Sequence, residues 1–145
     1  MYCMEYTITN DDLDLYKHVN HARYLTIFED CRWAFGEEIG FDKEFVLKEK
    51  KGIVITDLTI QYLREAKLGD SYSVTLEVEL LDNDKVAYHH TLINKKNNKL
   101  HTKEVVTGVV MDLETRRKIP IPDIFLNAAK DYLKKKDLKL RSLNN

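Results

Sequence analysis

At 145 residues the chain suits one domain with one sizeable core, and 43% apolar with 32% charged residues is a globular rather than a disordered composition. A formal net charge of −1 gives no general basis for binding nucleic acid, and no apolar run is long enough to span a bilayer. Cys3 and Cys31 lack CxxC spacing and form neither a disulfide framework nor a zinc site, which fits reduced thiols in a cytoplasmic protein; Met-Tyr-Cys-Met-Glu-Tyr at the start has no signal-peptide pattern.

Glu5 to Thr9 is predicted as a short strand, followed by the turn cluster Asn10-Asp11-Asp12. From His21 the apolar residues Tyr24, Phe28, Cys31 and Phe35 recur at helical spacing, and Leu25, Ile27 and Ala34 widen the stripe. Asn20 suits the N-cap, Gly36 weakens this helix and Gly40 ends it. With Trp33 included, the helix is apolar enough to be mostly buried. Asp42 to Lys50 is predicted as a short second helix before Gly52.

The period then changes to two. Leu58, Ile60 and Tyr62 alternate along one strand, and Tyr72, Val74, Leu76, Val78 and Leu80 along the next, with Gly69-Asp70 between them. Asp82-Asn83-Asp84 turns the chain into Val86, Tyr88, His90 and Leu92, Lys95 to Lys99 is a polar turn, and Val105 to Met111 is a last β-branched run. Pro120 and Pro122 break regular structure before a terminal helix over Asp123 to Lys136. From Lys130 to Asn145 six Lys/Arg and two Asp leave an excess of +4, either a solvated helix end or a patch that meets phosphates. One strand, one long apolar helix and four strands in hairpin-like succession make an α+β layout, an antiparallel sheet with one face packed on the helix. A single domain over residues 1–145 is expected, with its core at about 5–122.

The chemistry concentrates in Asp14-Leu15-Tyr16-Lys17-His18-Val19-Asn20-His21-Ala22-Arg23-Tyr24-Leu25. A carboxylate ahead of a helix start can act on a carbonyl polarised by the free N–H groups there. Asp14 can be that base or nucleophile, or an ordinary turn residue; Asp12 competes, and in an extended segment the two point the same way. His18 can anchor the loop, and His21 can orient substrate or water, its backbone N–H being a candidate oxyanion donor. The HxxH spacing of these two lacks further ligands, so no metal is expected. His89 and His90 are adjacent on a strand and face opposite sides, and His101 has no evident partner. The serine-hydrolase, P-loop and dinucleotide motifs are absent.

That twelve-residue run resembles the D-x-x-G-H-V-N-N-x-x-Y-L segment of hotdog-fold acyl thioesterases, the 4-hydroxybenzoyl-CoA thioesterase group. Phe28-Glu29-Asp30-Cys31-Arg32-Trp33 is similar to the family's F-E-E-A-R-W, and Asp57 to Asp70 to its I-x-Y-x-R-P-A-x-L-G-D stretch. The overall likeness is greatest to bacterial long-chain acyl-CoA thioesterases. The resemblance implies a hotdog fold, a sheet wrapped around one long central helix, with the active site at a homodimer interface and a homotetramer as the larger assembly. It places the catalytic carboxylate at Asp14 and the oxyanion donors near His21 and Ala22. Arg64 and Lys67 fall where basic residues meet CoA phosphates, and Tyr24, Phe28 and Trp33 either line the acyl pocket or pack the core. Lys17 stands where many members have Gly, Glu65 where they have Pro, and His21 where the long-chain members have a second Asn. A His there belongs to a short-chain branch, so the chain length of the substrate stays open.

The implied reaction is hydrolysis of an acyl-CoA, or an acyl carrier protein thioester, with no metal or organic cofactor. The rivals are a hotdog enoyl-CoA hydratase or dehydratase, whose G-D-x-N-P-x-H signature is missing, and a non-catalytic acyl-CoA-binding module.

Overall fold

The computed structural model describes residues 1–135, and the end of the expected terminal helix at Lys136 and most of the basic run to Asn145 lie outside the described residues. Five strands form one antiparallel sheet: β1 (Tyr2–Thr7), β2 (Lys51–Tyr62), β3 (Ser71–Asp82), β4 (Lys85–Asn94) and β5 (Leu100–Asp112), in the spatial order β1-β3-β4-β5-β2. Helix α1 (His21–Ile39) crosses one face against β1 and β3, α2 (Lys43–Glu49) leads into β2, and α3 (Asp123–Ala129) closes the far end of the core.

Local chemistry sets most boundaries. The Asn20 side chain accepts the Ala22 N–H at 2.9 Å and caps α1, and Gly40 ends it in the left-handed region at φ 84°. Asp42 caps α2 through the Phe45 N–H. Tyr24, Ile27, Phe28, Cys31 and Phe35 are the buried stripe of α1, packed on Tyr72, Val74, Leu76 and Val78 of β3. Gly36 belongs to that contact: a Cβ there would stand 2.4 Å from the Phe41 carbonyl oxygen, so the glycine lets the chain fold back against its own helix.

Three expectations need correction. The first strand runs Tyr2–Thr7 rather than Glu5 to Thr9, and the turn expected at Asn10-Asp11-Asp12 is a turn of 3-10 helix. The terminal helix stops at Ala129; a 3-10 turn (Lys130–Tyr132) follows, and Leu133 forms a parallel bridge with Val78. The hairpin succession holds for β3-β4-β5 but not for β2, which crosses the sheet to pair with β5 from Lys51↔Asp112 to Tyr62↔Thr102. That pairing leaves β2 as an edge strand. Among the described residues no helix is long and apolar enough to cross a membrane.

Candidate active site

The approach to α1 is fixed by Asp12. Its carboxylate is buried, accepts the Tyr6 hydroxyl at 2.7 and 2.8 Å and the Thr9 N–H at 2.9 Å, and meets Arg23 Nε at 2.5 Å. Burial pushes this carboxyl upward, but the Thr9 amide, Arg23 and Tyr6 outweigh it and hold it below the ordinary value. Asp12 therefore ties β1 to α1 and is saturated. Asp12 ends the 3-10 turn and Asp14 belongs to the following loop, and the two acids share no hydrogen-bond partner.

Residues 13–19 close a small loop. Leu13 and Val19 bridge, the Asp14 N–H donates to the His18 carbonyl at 2.8 Å, and the Lys17 N–H to the Asp14 carbonyl at 3.0 Å. Half-buried Asp14 accepts the Tyr16 and His18 amides on Oδ1, at 2.9 and 3.3 Å; Oδ2 has no hydrogen-bond partner among the described residues. Lys17, at the family's glycine position, has φ 61°, the left-handed geometry that glycine adopts without strain. Leu15 and Tyr16 at the loop tip are 100% and 83% exposed.

At the helix start the sequence expects two free donors. The Ala22 N–H is taken by the Asn20 cap, whereas the His21 N–H has no acceptor among the described residues. The His21 carbonyl accepts the Tyr62 hydroxyl from β2 at 2.8 Å. Tyr24, one turn on, is buried; its ring meets Tyr62 edge-on at 5.2 Å and its hydroxyl accepts the Ala66 N–H at 3.2 Å. The exposed His18 ring pairs with Glu65 at 2.8 Å, so Glu65, at the family's proline position, anchors the loop. His101 does have a partner: its Nδ1 lies 3.0 Å from the Glu65 carbonyl, and its own carbonyl accepts the Leu63 and Arg64 amides.

These residues enclose a cavity of about 290 Å³ that includes His18, His21, Tyr24, Tyr62, Arg64 and Glu65. A neighbouring cleft of about 410 Å³ brings Arg64, Lys67 and Lys99 together with Asn97 and His101, and with the acidic Glu65 and Asp70. The structure thus unites His21, Tyr24 and Arg64, with Lys67 next door, while Asp14 stands behind His18 and does not line either space. Tyr62, Lys99 and the His18–Glu65 pair were not legible as site residues, because nothing local marks a tyrosine at the end of a strand or a lysine in a polar turn. Among the described residues no three His, Cys, Asp or Glu side chains converge as a metal site.

A helix start with an open N–H, a carboxylate oxygen without a partner one short loop away and a cleft with Arg64, Lys67 and Lys99 in its walls together suit a polarised carbonyl attached to an anionic carrier. The model of the thioesterase-like superfamily matches residues 8–129. The long-chain acyl-CoA thioesterase FadM of Escherichia coli is 27% identical over 109 residues, 75% of this chain and 82% of that protein. The acyl-CoA thioesterase YbgC of Haemophilus influenzae is 28% identical over 113 residues, 77% and 82% of the two chains. Among solved structures, a 1,4-dihydroxy-2-naphthoyl-CoA thioesterase from Synechocystis superposes with a TM-score of 0.84 at 15% identity, covering 90% of this chain and 96% of its own. A Staphylococcus aureus protein solved in complex with CoA gives 0.84 at 22% identity, covering 93% and 87%. These likenesses establish the hotdog fold.

Proposed function

The chain belongs to the thioesterase-like superfamily, and on that premise we propose that it hydrolyses acyl-CoA thioesters to a free acid and CoA. The observation that carries the reading is that the His21 N–H at the start of α1 and Oδ2 of Asp14 on the preceding loop are both without a hydrogen-bond partner among the described residues. Sulfur donates weakly into a thioester carbonyl, so the carbon is already electrophilic. The enzyme has to receive the oxyanion and supply one carboxylate. The His21 N–H, reinforced by the helix dipole, receives the oxygen. Asp14 either takes a proton from attacking water or attacks to form a mixed anhydride that water then opens. The His21 side chain, exposed at the mouth, positions water or carbonyl. Arg64 and Lys67, joined by Lys99, face the phosphates of CoA. Acyl carrier protein thioesters are the alternative leaving group, and they would use the same His21 and Asp14.

The working unit in this reading is a homodimer, with a homotetramer as the larger form. β2 is a twelve-residue edge strand on which Val54, Ile55, Leu58 and Tyr62 are 37%, 43%, 41% and 47% exposed, and the loop tip at Leu15 and Tyr16 is more exposed still. A long edge with apolar side chains favours pairing with a second copy. A second copy would also complete a site whose carboxylate stands outside the cavity formed within one chain. A cytoplasmic location is part of the proposal and rests on Cys3 and Cys31, both free thiols. Thiol release from an acyl-CoA panel, with Asp14→Asn as the control, tests the reading. Equal rates from the two proteins would remove Asp14 from the chemistry, and no release from any thioester would remove the activity.

A further inference from the structure

The interior holds a charged group that this hydrolysis does not use. Arg32 projects from α1 toward the sheet, with Nη1 3.2 Å from His90 Nε2 and 3.3 Å from Glu104 Oε1. His90 Nδ1 donates to the Thr75 carbonyl at 2.9 Å, which leaves Nε2 as the acceptor for the guanidinium. Phe28 stacks on the His90 ring at 5.0 Å, and the Arg32 guanidinium lies 6.0 Å from the Tyr88 ring. The arginine is therefore held in place from two strands, β4 and β5. The Glu104 side chain is fully buried, and among the described residues its Oε2 has no partner, nor has the Thr102 hydroxyl two residues along the same face of β5.

The free side of Arg32 opens on a separate cavity of about 220 Å³ whose other walls include Trp33, Phe35, Ile39, Phe41 and Ile53. Arg32 Nε and Nη2 make no hydrogen bond among the described residues. Glu29 is the only other charged group there; it is exposed and forms no ion pair with Arg32 among the described residues. An apolar hole gains nothing from a guanidinium, and holding one there is costly unless a partner arrives. Glu104 is an incomplete partner, since burial pushes its carboxyl up to about 7 against the pull of Arg32.

This cavity and the one at the helix start are both walled by α1 and β2: Arg32 and Ile53 line one, His21 and Tyr62 the other. α1 packs on β1 and β3, whereas β2 residues Leu58 and Tyr62 pair with the buried Val106 and Thr102 of β5 and yet stay exposed. The stretch of β2 between the two cavities is therefore left uncovered by α1. From His21 to Arg32 the helix rises about 16 Å, roughly the length of a chain of twelve to fourteen carbons.

We propose that Arg32, braced by Glu104 and His90, is the specificity-determining residue of a distal acyl pocket that selects chains bearing an oxygen acceptor at their far end. The assignment rests on the thioesterase reading for its substrate class. It is tested with three CoA thioesters of equal chain length, about twelve to fourteen carbons, ending in methyl, hydroxyl or carboxylate. Wild type should favour one or both oxygenated chains by at least about tenfold in kcat/KM, the scale of one charge-assisted hydrogen bond. Arg32→Met should erase that preference. Because it strands Glu104, the double variant Arg32→Met/Glu104→Leu, which removes both charges, should show the same loss with a stable fold. A wild-type preference for the methyl end, or a double variant that keeps the oxygen preference, overturns the assignment. So does an equal fall on all three chains. Thermal shifts with the same thioesters read binding without turnover. An oxygen-selective shift without thiol release sinks hydrolysis and keeps the pocket; hydrolysis without any oxygen selectivity sinks the pocket alone.

Discussion

The Tyr62 hydroxyl donates to the carbonyl oxygen of His21 at 2.8 Å, joining the last residue of the edge strand to the first residue of the long helix. A neutral hydrogen bond of this kind contributes about 1 kcal/mol. Tyr62→Phe keeps the ring against Tyr24 and removes only the bond. The expected result is a fall in Tm of a few degrees, matching the lost bond, together with a fall of about fivefold in kcat/KM for the preferred thioester. Unchanged kinetics would mean that the tie does not position the helix start.

Asp14→Asn retains an Oδ1 that can still accept the Tyr16 and His18 amides, so the loop should keep its shape. Loss of the carboxylate should lower kcat by about 10²–10⁴, the usual contribution of a general base. His21→Ala removes the ring and leaves the N–H, and its loss should be smaller. A His21→Ala rate equal to wild type would leave only the backbone of residue 21 in the reaction.

Lys17 carries a left-handed backbone, which costs a side-chain-bearing residue about 1–2 kcal/mol. Glycine relieves that strain and gives back part of it through unfolded-chain entropy. Lys17→Gly should therefore stabilise the protein by about 0.5–1 kcal/mol, read as a higher urea midpoint at constant slope. A destabilised variant would show that the lysine side chain, not the backbone, matters there.

Burial raises the Glu104 carboxyl from 4.5 to about 7, outweighing Arg32, so the folded state holds that proton more tightly and this group's contribution to stability falls as pH rises from 4.5 to about 7. Burial, with the Arg32 charge, lowers His90 from 6.5 to about 3; its contribution falls as pH drops below 6.5. Between pH 6.5 and 4.5 the two slopes oppose each other. Glu104→Gln removes one of them, so its urea midpoint should drop more steeply on acidification than that of wild type. Parallel profiles would show that Glu104 does not titrate in this window.

Leu58, exposed on the β2 edge, should tolerate a charge in a monomer and not in a dimer. Leu58→Asp is expected to shift sedimentation toward the monomer. A dimer that survives the change would place the subunit contact elsewhere.

The sequence displays its local rules well. Asn20 and Gly40 mark α1 because capping is decided within one turn, and β3, β4 and β5 follow each other because short polar turns join neighbours. Lys17 betrays its geometry only through the resemblance, as a side chain in a glycine position. The pairing of β2 with β5 was hidden, since residues about forty to sixty positions apart choose each other through a shared core rather than a turn. The same distance hid the cluster of Arg32, His90 and Glu104: each sits on its own element, and a charged residue in a helix ordinarily reads as surface. Gly36 was read as a weakness of the helix, when it is the gap that admits Phe41.

The crossing of β2 to β5 also has a consequence for how the chain is made. During synthesis β2 leaves the ribosome well before its partner strand exists, and at about 5–20 residues per second it waits several seconds with an apolar edge unpaired. The Tyr62–His21 tie then forms only once β5 has docked. Assembly of the proposed site is thus a late event in folding, and a nascent chain stalled before residue 100 would hold β2 and Tyr62 without the strand that places them.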